Sequence, residues 1–227
     1  MLFRSVSPEH PEEIMIGLND RDEHVHDVYR LNITSGERAL IEQNEQGFLG
    51  YTIDEDYNLR LAAKVTPDGG NDVFRKTGDG DWEPFIQIAR EDMLTTGPIM
   101  MDKHGANVYM EDSRGRDTAA LVQVDMATGA STVLAENARA DISDFMIHPT
   151  RKTVEAVAFT YERKHWQILD EAVRADLDHL KTIADGECEV VDRTLDDRQW
   201  IVAYEMDDGP IRYYRYERGA RNADYLF

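Results

Sequence analysis

The chain has 227 residues, 41% of them hydrophobic, with ten Tyr, seven Phe and three Trp, which is enough apolar surface for one large domain or two small ones and too aromatic for a disordered chain. Against 25 Lys and Arg stand 45 Asp and Glu, and a net charge of −20 repels phosphate backbones and anionic lipid, so nucleic acid and membrane surfaces are excluded as expected partners. No apolar run approaches the roughly 18 residues that span a bilayer, the start MLFRSVSPEHPEE lacks a secretory signal core, and Cys188 is the sole cysteine, so a cytoplasmic location without internal disulfides is expected.

In chain order, the first 46 residues hold a candidate opening strand in LFRSVSP, then IMIGLND, HDVYRLNIT and ERALIEQ, each alternating apolar and polar residues as a half-buried strand does. Within this unit, Leu31-Asn32-Ile33-Thr34-Ser35-Gly36 followed by ERALIEQN aligns with Val124-Asp125-Met126-Ala127-Thr128-Gly129 followed by ASTVLAEN. The two glycines lie 93 positions apart (129 less 36), or two units of about 46 residues. The unit between them should turn near residue 80, where Gly80 stands, and Gly219 lies 90 residues beyond Gly129.

The second unit supplies GFLGYTIDED, LRLAAKVTP, NDVFRKT and DWEPFIQIA, and the third GPIMMD, NVYMEDS, AALVQVDMA and ASTVLAE. The fourth begins with ISDFMIHP, VEAVAFTYE and KHWQIL. Where its last strand is due the period changes: Leu169, Val173, Leu177, Leu180 and Ala184 recur at threes and fours, predicting an amphipathic helix of about four turns near 168–184, stopped at Gly186. That helix is expected to blunt an exposed strand edge, with packing on a sheet face as the alternative. The fifth unit supplies ECEVVDRT, QWIVAYEM, PIRYYRYE and NADYLF. Units of about 40 to 50 residues with four short strands have the period of propeller blades, so the fold predicted is all-β: a single β-propeller domain over 1–227 of about five four-stranded antiparallel blades with one inserted helix.

The segments HDVYRLNITSGE, TPDGG, SRGRDTAALVQVDMATG and DRTLDDRQWIVAYEMDDGPIRYYRY resemble the propeller domain of the prolyl oligopeptidase (S9) serine peptidase family, in particular its acylaminoacyl-peptidase and dipeptidyl-aminopeptidase-like members. The resemblance implies a propeller, usually of seven blades, capping an α/β-hydrolase domain that follows it and restricting bulky substrates from a Ser-Asp-His site there. Five units are visible and the chain stops at NADYLF, so a fragment of a larger propeller is expected, with a complete small propeller as the alternative. The partners implied are the hydrolase domain of the same parent polypeptide and a peptide substrate. A ring left open also exposes strand edges through which the chain could self-associate.

No catalytic residue is predicted. A serine hydrolase elbow needs G-x-S-x-G between a strand and a helix, and the nearest segment, Glu111-Asp112-Ser113-Arg114-Gly115, has Glu in the first position and leads into a strand. His24 and His26 share the spacing of two metal ligands but lack a third, and Asp54-Glu55-Asp56 and Asp79-Gly80-Asp81 lack an ordered calcium-loop spacing, so neither metal nor cofactor is expected. Asn32-Ile33-Thr34 is formally a glycosylation sequon placed in a strand, Cys188 reads as a small buried side chain, and Asp196-Asp197 as a turn. Arg114, Arg116 and Asp117 are the candidates for a tunnel mouth or an interdomain contact, or for clamping a neighbouring blade by bidentate pairing. The function expected is a non-catalytic propeller segment that gates a hydrolase domain. A stand-alone propeller that binds proteins or peptides is the alternative, and an enzyme with a metal in the central channel is the third reading.

Overall fold

The computed structural model describes residues 4–227, and the opening strand predicted in LFRSVSP therefore lies partly outside the described residues. The chain divides into two compact units, the residues through Arg116 with Val122–Thr132, and Asp117–Leu121 with Val133–Phe227. In the first unit, β1 (Arg4–Val6), β2 (Glu13–Leu18), β3 (Asp27–Asn32) and β4 (Arg38–Glu42) form one antiparallel sheet in chain order. A second contains β5 (Gly50–Ile53), β6 (Leu59–Val65), β7 (Asn71–Lys76) and β8 (Trp82–Ile88). The third contains β9 (Gly97–Met101), β10 (Asn107–Asp112), β11 (Ala120–Asp125) and β12 (Ser131–Ala135), and the division between units passes within β11 and β12.

The second unit holds β13 (Ile142–Ile147), β14 (Val154–Tyr161) and β15 (Arg163–Ile168) in one sheet, and β16 (Glu187–Arg193), β17 (Gln199–Glu205), β18 (Arg212–Glu217) and β19 (Asn222–Tyr225) in another. The five antiparallel sheets are the propeller blades that the repeat predicts, four of them four-stranded and the fourth three-stranded. Burial grades across each blade. Middle strands such as Val154–Tyr161 are almost wholly buried, whereas the outermost β4 and β19 are mostly exposed. The sequences follow that grading: in VEAVAF only Glu155 interrupts the apolar residues, whereas RALIE is closed by a charge at each end.

The repeat is also written into the turns. Tyr57, Gly105, Lys152 and Asp197 adopt left-handed backbone at the first hairpin of blades two to five, 48, 47 and 45 residues apart. Each of these hairpins is closed by a different side chain doing one task. Asp54 Oδ1 accepts the N–H of Asp56 and Asn58, Asp102 Oδ1 that of Ala106, His148 Nδ1 those of Thr150 and Arg151, and Thr194 Oγ1 those of Arg198 and Gln199. Gly36, Gly80 and Gly129 turn the outer hairpins with positive φ as expected. In the fifth blade, however, Arg221 at φ 49° takes that conformation instead of Gly219, because the Arg221 N–H closes the turn onto the Arg218 carbonyl.

The predicted four-turn helix is shorter than its apolar spacing. A 3-10 turn at Glu171–Val173, capped by Asp170 accepting the Ala172 N–H, runs into α1 (Arg174–Leu180). From Lys181 the backbone tightens: Thr182 N–H turns back to the His179 carbonyl and Ile183 N–H to that of Leu180. Ile183 and Ala184 still pack on the same core as Leu177 and Leu180, so the pattern outlives the helix. Val173, Leu177 and Leu180 bury themselves against Met146, Ala156, Trp200, Val202, Tyr204 and Tyr216, which places α1 on side chains of the fourth and fifth blades.

Candidate functional site

The densest polar chemistry in the second unit grows from the turn before β17. Asp197, left-handed at φ 56° with its N–H on the Thr194 carbonyl, directs its carboxylate inward and is 8% exposed. Its Oδ1 accepts Trp200 Nε1 at 2.7 Å and Arg193 Nε at 2.6 Å, and its Oδ2 accepts Arg218 Nη1. Arg193 reaches on to Glu155 Oε2 at 2.5 Å and the Ile147 carbonyl at 2.9 Å, while Glu155 Oε1 takes Arg151 at 3.0 Å. On the other flank Arg218 Nε donates to Asp176 Oδ2 at 2.9 Å, and Tyr216 donates to Asp176 Oδ1 at 2.9 Å. Both guanidiniums lie over the Trp200 ring, 4.9 and 4.7 Å from its centroid.

Three carboxylates thus meet three guanidiniums, and the network joins β13 and β14, α1, β16 and β18. Asp197, Glu155 and His148 bring ligand-type atoms within 4.8 Å of one another, the one such group among the described residues. Every oxygen of Asp197 and Glu155 is taken by an arginine, however, and His148 Nδ1 by two backbone N–H groups. Burial, together with the Arg151 charge, pushes the His148 imidazole below its ordinary pKa and favours the neutral ring. A metal would have to displace guanidiniums already seated there, so the donor set fits arginine and holds elements together. Burial, followed by the Asp176 carboxylate that accepts its proton, pushes the Tyr216 phenol up.

The residues nominated from sequence are scattered. Ser113 is buried among hydroxyls: Thr95 Oγ1 at 2.8 Å, Thr96 Oγ1 at 3.0 Å and, as acceptor of its proton, Asp92 Oδ1 at 3.1 Å. No histidine is among these partners, so Ser113 does not have the histidine base of a Ser-Asp-His triad hydrogen-bonded to it. Arg114 pairs with Asp112 in bidentate fashion at 2.8 and 3.0 Å and reaches the Gln87 carbonyl of β8 at 3.5 Å. Burial alone would raise the Asp112 pKa, yet bonding from Arg114 holds it below the usual carboxylate range. Arg116 and Asp117 are exposed. His24 stands in solvent ahead of β3, and Asp54 is committed to its turn and to Arg60 Nε at 2.6 Å. The Cys188 thiol is pushed up to about 11 by burial, which suits a packing role rather than a nucleophile. Asp197, the centre of the arginine network, was legible only as a turn residue. The one local signal was Arg193 four positions before it.

No protein-family model matches the chain. Over 222 residues, 98% of its length, the chain is 46% identical to dipeptidyl aminopeptidase BIII of Pseudoxanthomonas mexicana, of which it covers 32%. Over 223 residues, 94% of its length, it is 30% identical to dipeptidyl peptidase family member 6 of Caenorhabditis elegans, covering 30% of that protein. A solved prolyl endopeptidase shares the fold with a TM-score of 0.63 at 11% identity, over 99% of this chain and 34% of the other. The chain spans about a third of the length of the curated relatives it matches.

Proposed function

We propose that this chain, a β-propeller segment related to those of the prolyl oligopeptidase (S9) family, is the non-catalytic part of a serine peptidase, packing on an α/β-hydrolase domain of a longer polypeptide and restricting which substrates reach it. One observation carries the reading: nearly the whole chain aligns at 46% identity with a third of a dipeptidyl aminopeptidase. Within the described residues, the serine nearest to an elbow motif is locked between two threonine hydroxyls and the Asp92 carboxylate, with no histidine among its hydrogen-bond partners. A strongly acidic propeller also favours the approach of peptides with a protonated amino terminus over acidic ones.

The test is a chimera in which this chain replaces the matched third of the Pseudoxanthomonas enzyme. The expected protein cleaves short dipeptidyl substrates and spares folded proteins. A chimera that consumes a folded protein as fast as a short peptide would overturn the gating role, and one that folds but separates from its hydrolase partner would overturn the packing role.

A further inference from the structure

The fourth blade is one strand short. The four other sheets run through four strands, whereas this one stops at β13-β14-β15, and the chain leaves β15 for the 3-10 turn and α1. The pairing with β14 determines which backbone groups are left facing outward. Phe159 is opposite His165 and Val157 opposite Gln167, and just past the strand Leu169 donates its N–H to the Glu155 carbonyl at 2.8 Å. In an antiparallel ladder alternate residues bond inward, so the odd-numbered residues of β15 bond to β14, and the N–H and C=O of Lys164, Trp166 and Ile168 face away from the sheet. Lys164 agrees independently: its N–H donates to Glu187 Oε1 at 3.2 Å, a side-chain oxygen standing where the carbonyl of a fourth strand would be.

Beside this edge lies a cavity of about 480 Å³, bounded on one side by Arg163–Trp166 and on the other by Lys181–Cys188. Trp166, Ile183, Ala184 and Cys188 give it an apolar wall, and Lys164 and Lys181 give it a charged rim. We propose that the β15 edge binds an extended peptide that completes the blade as its fourth strand, with main-chain bonds to Lys164, Trp166 and Ile168 and an apolar side chain in the cavity. The sister blades show the chemistry that fits: outer strands such as Arg-Ala-Leu-Ile-Glu of β4 and Ser-Thr-Val-Leu-Ala of β12 combine polar residues with Leu, Ile or Val. A single extended peptide is the occupant proposed, because each sister sheet carries one strand more than this one and the Glu187 oxygen already stands as an acceptor on the outward Lys164 N–H.

The probe is a blocked seven-residue peptide with the sequence of residues 130–136, ASTVLAE, added to the whole chain while amide exchange is followed residue by residue. At saturation, exchange at Trp166 and Ile168 should slow by about tenfold or more, with His165 and Gln167 unchanged. Two N-methylated peptides separate main-chain pairing from adhesion: methylation on one set of alternate residues should abolish binding and on the other should spare it. Glu187→Ala, which frees the Lys164 N–H, should tighten binding several-fold. Binding indifferent to both methylation patterns, or no protection at 166 and 168, would overturn the proposal. So would protection of the same amides by a concentration-dependent dimer of the chain alone.

Discussion

Asp197 shows how far a single residue can depart from its local reading. On sequence it is the second acid of a turn; in the fold it neutralises Arg193 and Arg218 together, with side-chain exposures of 8% for the acid and 7% and 21% for the arginines. Its removal leaves two guanidiniums over Trp200 without their shared counter-charge. Asp197→Ala should therefore cost about 3–5 kcal/mol, the range for breaking a buried pair, read from urea unfolding. The exposed pair Arg215–Asp224, about half exposed on both sides, provides the contrast: Arg215→Ala should change stability by less than about 1 kcal/mol. Equal losses in the two variants would show that burial does not set the worth of these pairs. Two partners of Asp197, Arg193 and Trp200, stand four and three residues away, but Arg218 follows it by 21 positions, beyond β18, and no local pattern announces a contact at that separation.

At the scale of elements, the apolar spacing predicted the helix and overestimated its length. Spacing reports which side chains face a core, and Ile183 and Ala184 do so from non-helical backbone. What holds α1 is tertiary: Leu177 and Leu180 pack on the fifth blade, Tyr204 donates to the Leu180 carbonyl at 2.6 Å, and Asp176 takes Tyr216 and Arg218. A seven-residue helix has little stability of its own. Leu177→Ala should cost about 2–5 kcal/mol and should speed amide exchange throughout 174–180 before the strands of the fifth blade respond. Exchange that rises uniformly over the fifth blade would mean that helix and blade open as one unit. The turns teach the complementary lesson. Glycines at 36, 80 and 129 were legible because φ is positive there, whereas the first-hairpin closures were hidden, since Asp, His and Thr perform them interchangeably.

For the whole molecule, five propeller blades follow from the repeat, and their kinship with peptidase propellers is borne out by a match across 98% of the chain. No helix among the described residues is long and apolar enough to cross a membrane. The chain by itself should release no product from dipeptidyl chromogenic substrates, and Ser113→Ala should leave that baseline unchanged. Turnover lost in the Ser113 variant would assign chemistry to this chain. The variant should also lose about 1–2 kcal/mol of stability, because Thr95, Thr96 and Asp92 give up a shared buried partner.

Sequence alone determined the blade period, the alternating strands and the positions of the glycine turns, because each depends on residues adjacent in the chain. It also settled the absence of an elbow motif at Ser113. Only the tertiary structure decided that Asp197 lies at the centre of a buried arginine network and that the fourth blade ends on an open edge beside a cavity. Both depend on groups brought together from distant strands, where the partners met in the fold offset the cost of taking charge and backbone out of water, and no local preference records them.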